Sequence, residues 1–134
     1  MRDSMQDDTA ARMTLNTGLR TNGTVNGTGV DLTGTGNFFR TAMLLVISGA
    51  VTDGTHTVSL QESDDNVTFT AVAAGDLQGA LTAVTTGNVN TVQRQSYTGG
   101  KRYLRASVVT SGATTGGTTT AVILLAQGSG QTVT

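Results

Sequence analysis

From residue 14 onward the chain consists of short stretches in which apolar and polar side chains alternate, and turns rich in Gly, Asn and Asp separate them. A period of two puts every second side chain on the same face of a β-strand. The stretch 55–62 shows this most clearly, because Val58 and Leu60 alternate with Thr57 and Ser59. Only residues 1–13 have a composition that suits a helix. We therefore predict an all-β fold.

Threonine and glycine suit such a fold, and with 27 Thr and 18 Gly they make up about a third of the 134 residues. The branched Cβ of Thr favours the pleated backbone, and Gly fits the turns. Charged residues are 13% of the chain, whereas ordinary domains carry about 25%. The net charge of −1 argues against a protein that binds nucleic-acid phosphates, and the absence of Cys excludes disulfide scaffolds and thiolate metal sites.

Both faces of the predicted strand at 38–50 are apolar. One face carries Met43, Leu45 and Ile47, and the other carries Ala42, Leu44 and Val46. A strand with this pattern is buried on both sides, or a partner subunit covers one of its sides.

The same alternation predicts the remaining strands. Residues 55–73 form a β-hairpin, 88–97 an edge strand or one that faces a partner, 101–110 a strand with Leu104, Ala106 and Val108 inward, and 118–127 a central strand. Leu77, Leu81 and Val84 are expected to anchor the long connection before the edge strand. The expected architecture is a single antiparallel β-sandwich or small barrel of about seven strands.

Three segments are expected along the chain: an N-terminal arm at 1–13, the β-sandwich domain at 14–128 and a flexible tail at 129–134. The acidic N-terminus lacks the apolar region of a secretory signal. Crossing a membrane as a helix takes about 20 apolar residues, and no run in the chain is that long. We expect a protein that is made in the cytoplasm and has no membrane partner.

No group of residues indicates catalysis, and we expect neither an enzyme nor a cofactor or metal. His56 is the single histidine and shares a face with Val58 and Leu60, so a structural role is favoured over a catalytic triad, for which no nucleophile elbow is present. The acidic group 62–65 lies at a predicted turn. Its spacing differs from that of a Ca²⁺-binding loop and suits an Asx-rich β-turn instead.

Half of the basic charge falls within 12 residues. These residues are Arg94, Lys101, Arg102 and Arg105. They are expected either to form a solvated sheet face or to dock on an acidic partner, such as the 62–65 turn of another copy of the chain, since complementary charge orients a partner as it binds.

Two segments carry a resemblance to a known family. Residues 60–72, LQESDDNVTFTAV, are similar to a hairpin of the form L-x-E-S-D-D-G-x-x-(W/F)-x-x-V, with Asn66 in place of Gly and Phe69 in place of the commoner Trp. Residues 97–105, YTGGKRYLR, resemble the pattern Y-x-G-x-K-R-Y-(V/L)-R that follows it. Both occur in this order in capsid decoration proteins, also called cement or auxiliary head proteins, of tailed bacteriophages. The resemblance covers about residues 40–128.

This resemblance implies a non-enzymatic virion structural protein that is made in the bacterial cytoplasm and binds the outside of an icosahedral head. Its partners would be the major capsid protein and further copies of itself, with a trimer favoured, and no nucleic acid or membrane. The expected contacts with capsid or neighbouring subunits come from the predicted arm and from the basic group: Arg2, Met5, Arg12, Arg94, Lys101, Arg102 and Arg105. The alternatives are a neck, tail or fibre-base protein of the same virion and a carbohydrate-binding surface module, although five aromatic residues are few for a sugar site.

Overall fold

The computed structural model describes residues 9–33 and 39–128, and β-strands are the main secondary structure in these residues. Besides two single-turn 3-10 helices at Ala74–Asp76 and Thr86–Asn88, they contain ten strands. In chain order the strands are β1 (Thr9–Arg20), β2 (Gly23–Asn26), β3 (Val30–Asp31), β4 (Phe39–Val51), β5 (Thr55–Ser63), β6 (Thr70–Ala71), β7 (Leu77–Gln78), β8 (Val92–Tyr97), β9 (Tyr103–Ser111) and β10 (Gly117–Gly128). Within this part of the chain, no helix has the length and apolarity needed to cross a membrane.

The strands form two antiparallel sheets. Sheet A has the order β1-β10-β4-β8-β7, and sheet B has the order β2-β9-β5-β6 with β3 also paired to β9. Both sheets remain open and enclose one core, so the predicted all-β class is confirmed and the architecture is consistent with a β-sandwich. The last long strand, β10, lies between β1 and β4, as its apolar composition predicts.

The core lies between the two sheets and follows the predicted alternation. From sheet A it takes Leu15, Leu44, Val46, Ala121, Ile123 and Leu125, and from sheet B it takes Val58, Leu60, Leu104, Ala106 and Val108. The connection before β8 packs against this core through Leu77 and Leu81, while Val84 is fully buried. The predicted anchors of that connection are therefore confirmed.

The N-terminal strand starts earlier than the predicted domain boundary. β1 begins at Thr9, which pairs with Ala126 of β10, so residues 9–13 of the predicted arm belong to sheet A. Ala10 packs against the core, because pairing with β10 outweighs the helix-compatible composition of this stretch. Residues 1–8 of the arm and the predicted tail at 129–134 lie outside the described residues.

The predicted hairpin at 55–73 forms only in part. β5 pairs with β6 over two residue pairs, Gln61 with Ala71 and Glu62 with Thr70, but pairs with β9 along its whole length. The chain between β5 and β6 is held in a hydrogen-bonded turn instead of an extended strand. Within β5 the predicted alternation is confirmed, since Val58 and Leu60 are buried while Thr57 and Ser59 are exposed.

Candidate functional site

The two segments that carry the family resemblance lie side by side in the structure. Residues 60–63 of β5 pair with residues 103–106 of β9, so that Glu62 lies opposite Leu104 and Ser63 opposite Tyr103. Arg105 donates from Nε to Oε1 of Gln61 at 2.7 Å, and its guanidinium lies 4.1 Å from the centre of the Phe69 ring. The two segments therefore form one paired unit at one end of sheet B.

Tyr97 ties this unit to sheet A. Its hydroxyl donates to Oε2 of Glu62 at 2.7 Å and accepts from the backbone N–H of Lys101 at 2.9 Å. Burial, and then the hydrogen bond to Glu62, raise the pKa of Tyr97 above its ordinary value. Since Tyr97 ends β8 and Glu62 lies in β5, this hydroxyl joins the two sheets.

The acidic turn after β5 is organised by Asp65. Its carboxylate accepts hydrogen bonds from the Ser63 hydroxyl at 2.8 Å and from the backbone N–H groups of Val67 and Thr68, each at 2.9 Å. The N–H donors of Thr68 and Val67, followed by the Ser63 hydroxyl, lower the pKa of Asp65 to about 2. Asn66 has a φ of +60°, in the left-handed region, which explains why the family pattern places Gly there.

Asp65 has a structural role in this turn. Its carboxylate accepts hydrogen bonds from backbone N–H groups of the same turn, as in an Asx-type turn. In the described ranges, 9–33 and 39–128, no three His, Cys, Asp or Glu residues are grouped closely enough to hold a metal ion.

Three of the predicted basic contact residues lie at this same end and are paired within the chain. Lys101 Nζ lies 2.6 Å from Asp64 Oδ2, and both side chains are exposed. Arg102 donates to both carboxylate oxygens of Asp31, at 3.1 and 2.9 Å, and stacks over Tyr103. The hydrogen bond from Arg102 is the largest cause of the lowered pKa of Asp31. The third residue is Arg105, which contacts Gln61 and Phe69.

The fourth residue of the basic group lies elsewhere. Arg94 is exposed on the outer face of β8, opposite Leu45 of β4, and thus belongs to sheet A. The structure therefore does not bring the four basic side chains into a single patch. Arg12 is exposed on β1 and donates to the carbonyl of Ala11, whereas Arg2 and Met5 lie outside the described residues.

His56 is enclosed in the core and is hydrogen-bonded there. Its side chain is 0% exposed, with Nδ1 2.9 Å from the Thr110 hydroxyl and Nε2 3.2 Å from the carbonyl oxygen of Asp53. The Asp53 carboxylate accepts from three consecutive backbone N–H groups, of Thr114, Thr115 and Gly116, and these donors lower the pKa of Asp53. The imidazole is thus closed off from solvent and held by two contacts, which is the environment expected of a structural histidine.

The outer face of sheet A carries apolar side chains from four neighbouring strands. Its cross-strand row runs from Met13 through Val122 and Leu45 to Arg94. Met13 is 52% exposed, Ile47 39% and Val92 66%. We call this surface the apolar face and define it by Ala11, Met13, Met43, Leu45, Ile47, Val92, Val122 and Leu124.

Within the described residues, no other element covers the apolar face. The sequence pattern of 38–50 predicts such a surface, because both faces of β4 are apolar. Sequence reasoning missed the contributions of β1 and β8, whose places beside β10 and β4 depend on long-range pairing.

Comparison of the chain with protein-family models, with curated proteins and with solved structures gives no match.

Proposed function

We propose that this chain is a non-enzymatic virion structural protein that binds the outside of a tailed-phage head and stabilises contacts between major capsid subunits. The observation that carries the proposal is the paired unit, in which the two family-like segments contact each other through Gln61–Arg105, Tyr97–Glu62 and Lys101–Asp64. The fold brings the two patterns together through the pairing of β5 with β9, so they form one structural unit.

The chemistry of the described residues agrees with a binding role. The single His is enclosed in the core, and the Asp53 and Asp65 carboxylates are bound to backbone N–H groups of the same chain. A protein that binds only the assembled head stabilises it by mass action, in proportion to its binding free energy and concentration. Such a role needs stable surfaces and no catalytic residue.

The carbohydrate-binding alternative has little support among the aromatic side chains that the structure describes, those of Phe69, Tyr97 and Tyr103. Sugars bind by stacking on exposed aromatic rings, but Arg105 lies over Phe69 and Arg102 lies over Tyr103. Tyr97 is buried. A neck, tail or fibre-base role requires the same kind of module, and it differs from the head role in copy number.

Copy number in purified virions tests the proposal. Quantitative mass spectrometry with isotope-labelled peptides would compare this chain with the major capsid protein of the phage that encodes it. We expect comparable copy numbers. A handful of copies per particle would indicate a neck or tail protein instead of a head protein. Absence of the chain from virions would overturn the proposal.

The predicted arm contacts need a separate experiment. The start of β1 determines which residues to delete in it. Because β1 begins at Thr9, deletion of residues 1–8 leaves every strand of the described residues intact, whereas deletion of 1–13 removes part of sheet A. If Arg2 and Met5 bind the head, the 1–8 deletion weakens binding to undecorated heads in a co-sedimentation assay and leaves the melting temperature of the free protein unchanged. Unaltered binding would show that the arm makes no contact.

A further inference from the structure

We propose that the Arg105 guanidinium binds the carboxylate of an exposed Asp or Glu side chain of the major capsid protein through its two terminal nitrogens. The inference rests on the proposed function, because it names the chemistry by which the paired unit contacts a head. It assigns that contact to one member of the basic group. Of the other three, Arg94 lies on sheet A, and Lys101 and Arg102 already have carboxylate partners within the chain.

Arg102 shows the complete form of the arrangement. Its guanidinium lies 5.1 Å from the centre of the Tyr103 ring, and its Nε and Nη2 donate to the two carboxylate oxygens of Asp31 at 3.1 and 2.9 Å. An aromatic ring thus supports one face of the guanidinium, while a carboxylate accepts from two of its nitrogens. Such two-point pairs are stronger and more directional than single neutral hydrogen bonds.

Arg105 has the same kind of support but lacks the carboxylate. Its guanidinium lies 4.1 Å from the centre of the Phe69 ring, and its Nε donates to Oε1 of Gln61 at 2.7 Å. Both of these partners are uncharged. Among residues 9–33 and 39–128, nothing accepts a hydrogen bond from Nη1 or Nη2 of Arg105, and no carboxylate oxygen lies within 4.0 Å of its nitrogens. These two nitrogens form an edge that fits a carboxylate from another molecule.

The position of the Arg105 side chain is fixed before any partner binds. Gln61 holds Nε and Phe69 supports one face of the guanidinium, so part of the conformational entropy of this long side chain is lost on folding. A side chain that is already ordered loses less entropy on binding. Arg is also one of the residues that most often dominate the energy of protein interfaces. We therefore expect Arg105 to contribute more to binding than a cation of equal charge elsewhere on the surface.

The charges around Arg105 favour a single acidic side chain as its partner. The uncharged Ser59 and Gln61 lie beside it on the outer face of β5, and the nearby cations Lys101 and Arg102 are paired with carboxylates of the chain. A nucleic acid or another polyanion needs several free cations close together. One carboxylate on a protein surface needs only one, and the hydroxyl and amide groups around Arg105 suit the neutral polar groups beside it.

Co-sedimentation with undecorated heads tests the role of Arg105. Arg105→Gln removes the charge and the two terminal nitrogens. The matched control is Arg94→Gln, which makes the same change of charge at an exposed arginine of sheet A. We expect Arg105→Gln to weaken binding by about 30-fold or more, because the partner carboxylate is left without its cation, and Arg94→Gln by less than about 3-fold. Circular dichroism melting curves check that both variants are folded at the temperature of the assay.

A cross-linking experiment identifies the partner group. Arg105→Lys places an amine at the same site but cannot form the two-point pair, so it is used at a concentration that saturates the heads. A water-soluble carbodiimide activates a carboxylate, the amine attacks it, and an amide bond forms while the reagent leaves as a urea. Mass spectrometry of the digested complex should find position 105 joined to an Asp or Glu of the major capsid protein. Arg94→Lys should give no cross-link to that protein.

The results separate this inference from the head-binding proposal. If the wild type does not sediment with heads, both are wrong. If the wild type binds and Arg105→Gln binds equally well, or if Arg94→Gln loses as much affinity, the inference is wrong and the head-binding proposal stands. The inference is also overturned if no cross-link forms from position 105 in the sedimented complex, or if the cross-link joins a second copy of this chain.

Discussion

The outer surfaces of the two sheets differ in what fixes their side chains. At the paired unit of sheet B, Arg102, Arg105 and Asp65 each have named partners within the chain. On the apolar face of sheet A, Met13 and Val92 are more than half exposed among the described residues. The polar groups of sheet B are thus used to hold the molecule together, whereas the apolar groups of sheet A remain available to another molecule.

The largest effect that tests this contrast comes from two neighbouring leucines of β4. Leu44 is buried and Leu45 lies on the apolar face. Leu44→Thr removes buried methyl groups and buries a hydroxyl, so we expect the free energy of unfolding to fall by about 3 kcal/mol or more. Leu45→Thr keeps a strand-forming residue and should cost under about 1 kcal/mol.

Urea denaturation of the two Thr variants at a concentration where the protein is monomeric gives both values. The contrast between the sheets fails if Leu45→Thr costs as much as Leu44→Thr, because the apolar face would then be part of what stabilises the fold.

A smaller effect is expected from Tyr97→Phe. This change removes the hydroxyl that joins Glu62 to the backbone of Lys101 and leaves both without that partner. We expect a loss of about 1–2 kcal/mol in the free energy of unfolding. Tyr103→Phe is the control, because the described residues include no hydrogen bond from the Tyr103 hydroxyl. Equal losses for the two variants would contradict the joining role of Tyr97.

The acidic turn makes stability depend on pH in a defined direction. The folded pKa of Asp65, about 2, is below its ordinary value of 3.8. Its ionised form therefore stabilises the fold above about pH 4, and this contribution disappears as the pH falls through about 2. Asp65→Asn should melt at a lower temperature than the wild type at pH 7, with the difference shrinking towards pH 2. Melting curves that stay equally far apart across this range would rule out a role for the charge.

The sequence predicts the inward residues well because alternation is a local property. Val58, Leu60 and Leu104 are buried as their positions in β5 and β9 require. Which strand pairs with which is decided by contacts distant in sequence, so the pairing of β5 with β9 along its whole length was not predictable from the hairpin pattern. The start of β1 was missed for the same reason, since its first residues form a strand by pairing with β10, which is distant in sequence.

The basic group shows the corresponding difficulty for a site. Arg94 and Lys101 are seven positions apart, but the chain passes from sheet A to sheet B between β8 and β9. The sequence analysis grouped these residues because they are close along the chain, but the fold separates them. The apolar face was predictable in part, because both faces of β4 are apolar in the sequence, but its extent became visible only from the strand order.

The smallest effect is expected from the exposed ion pair of Lys101 and Asp64. Both side chains are open to solvent, where hydration and salt weaken the attraction between their charges. Lys101→Met should leave the melting temperature unchanged at low and at high salt, although Asp64 loses its partner. If the paired unit also contacts the capsid, the same variant weakens binding to undecorated heads more at low salt than at high salt, because complementary charges steer association. A lowered melting temperature would show that the pair is part of the fold, whereas reduced head binding at unchanged stability would assign Lys101 to an interface.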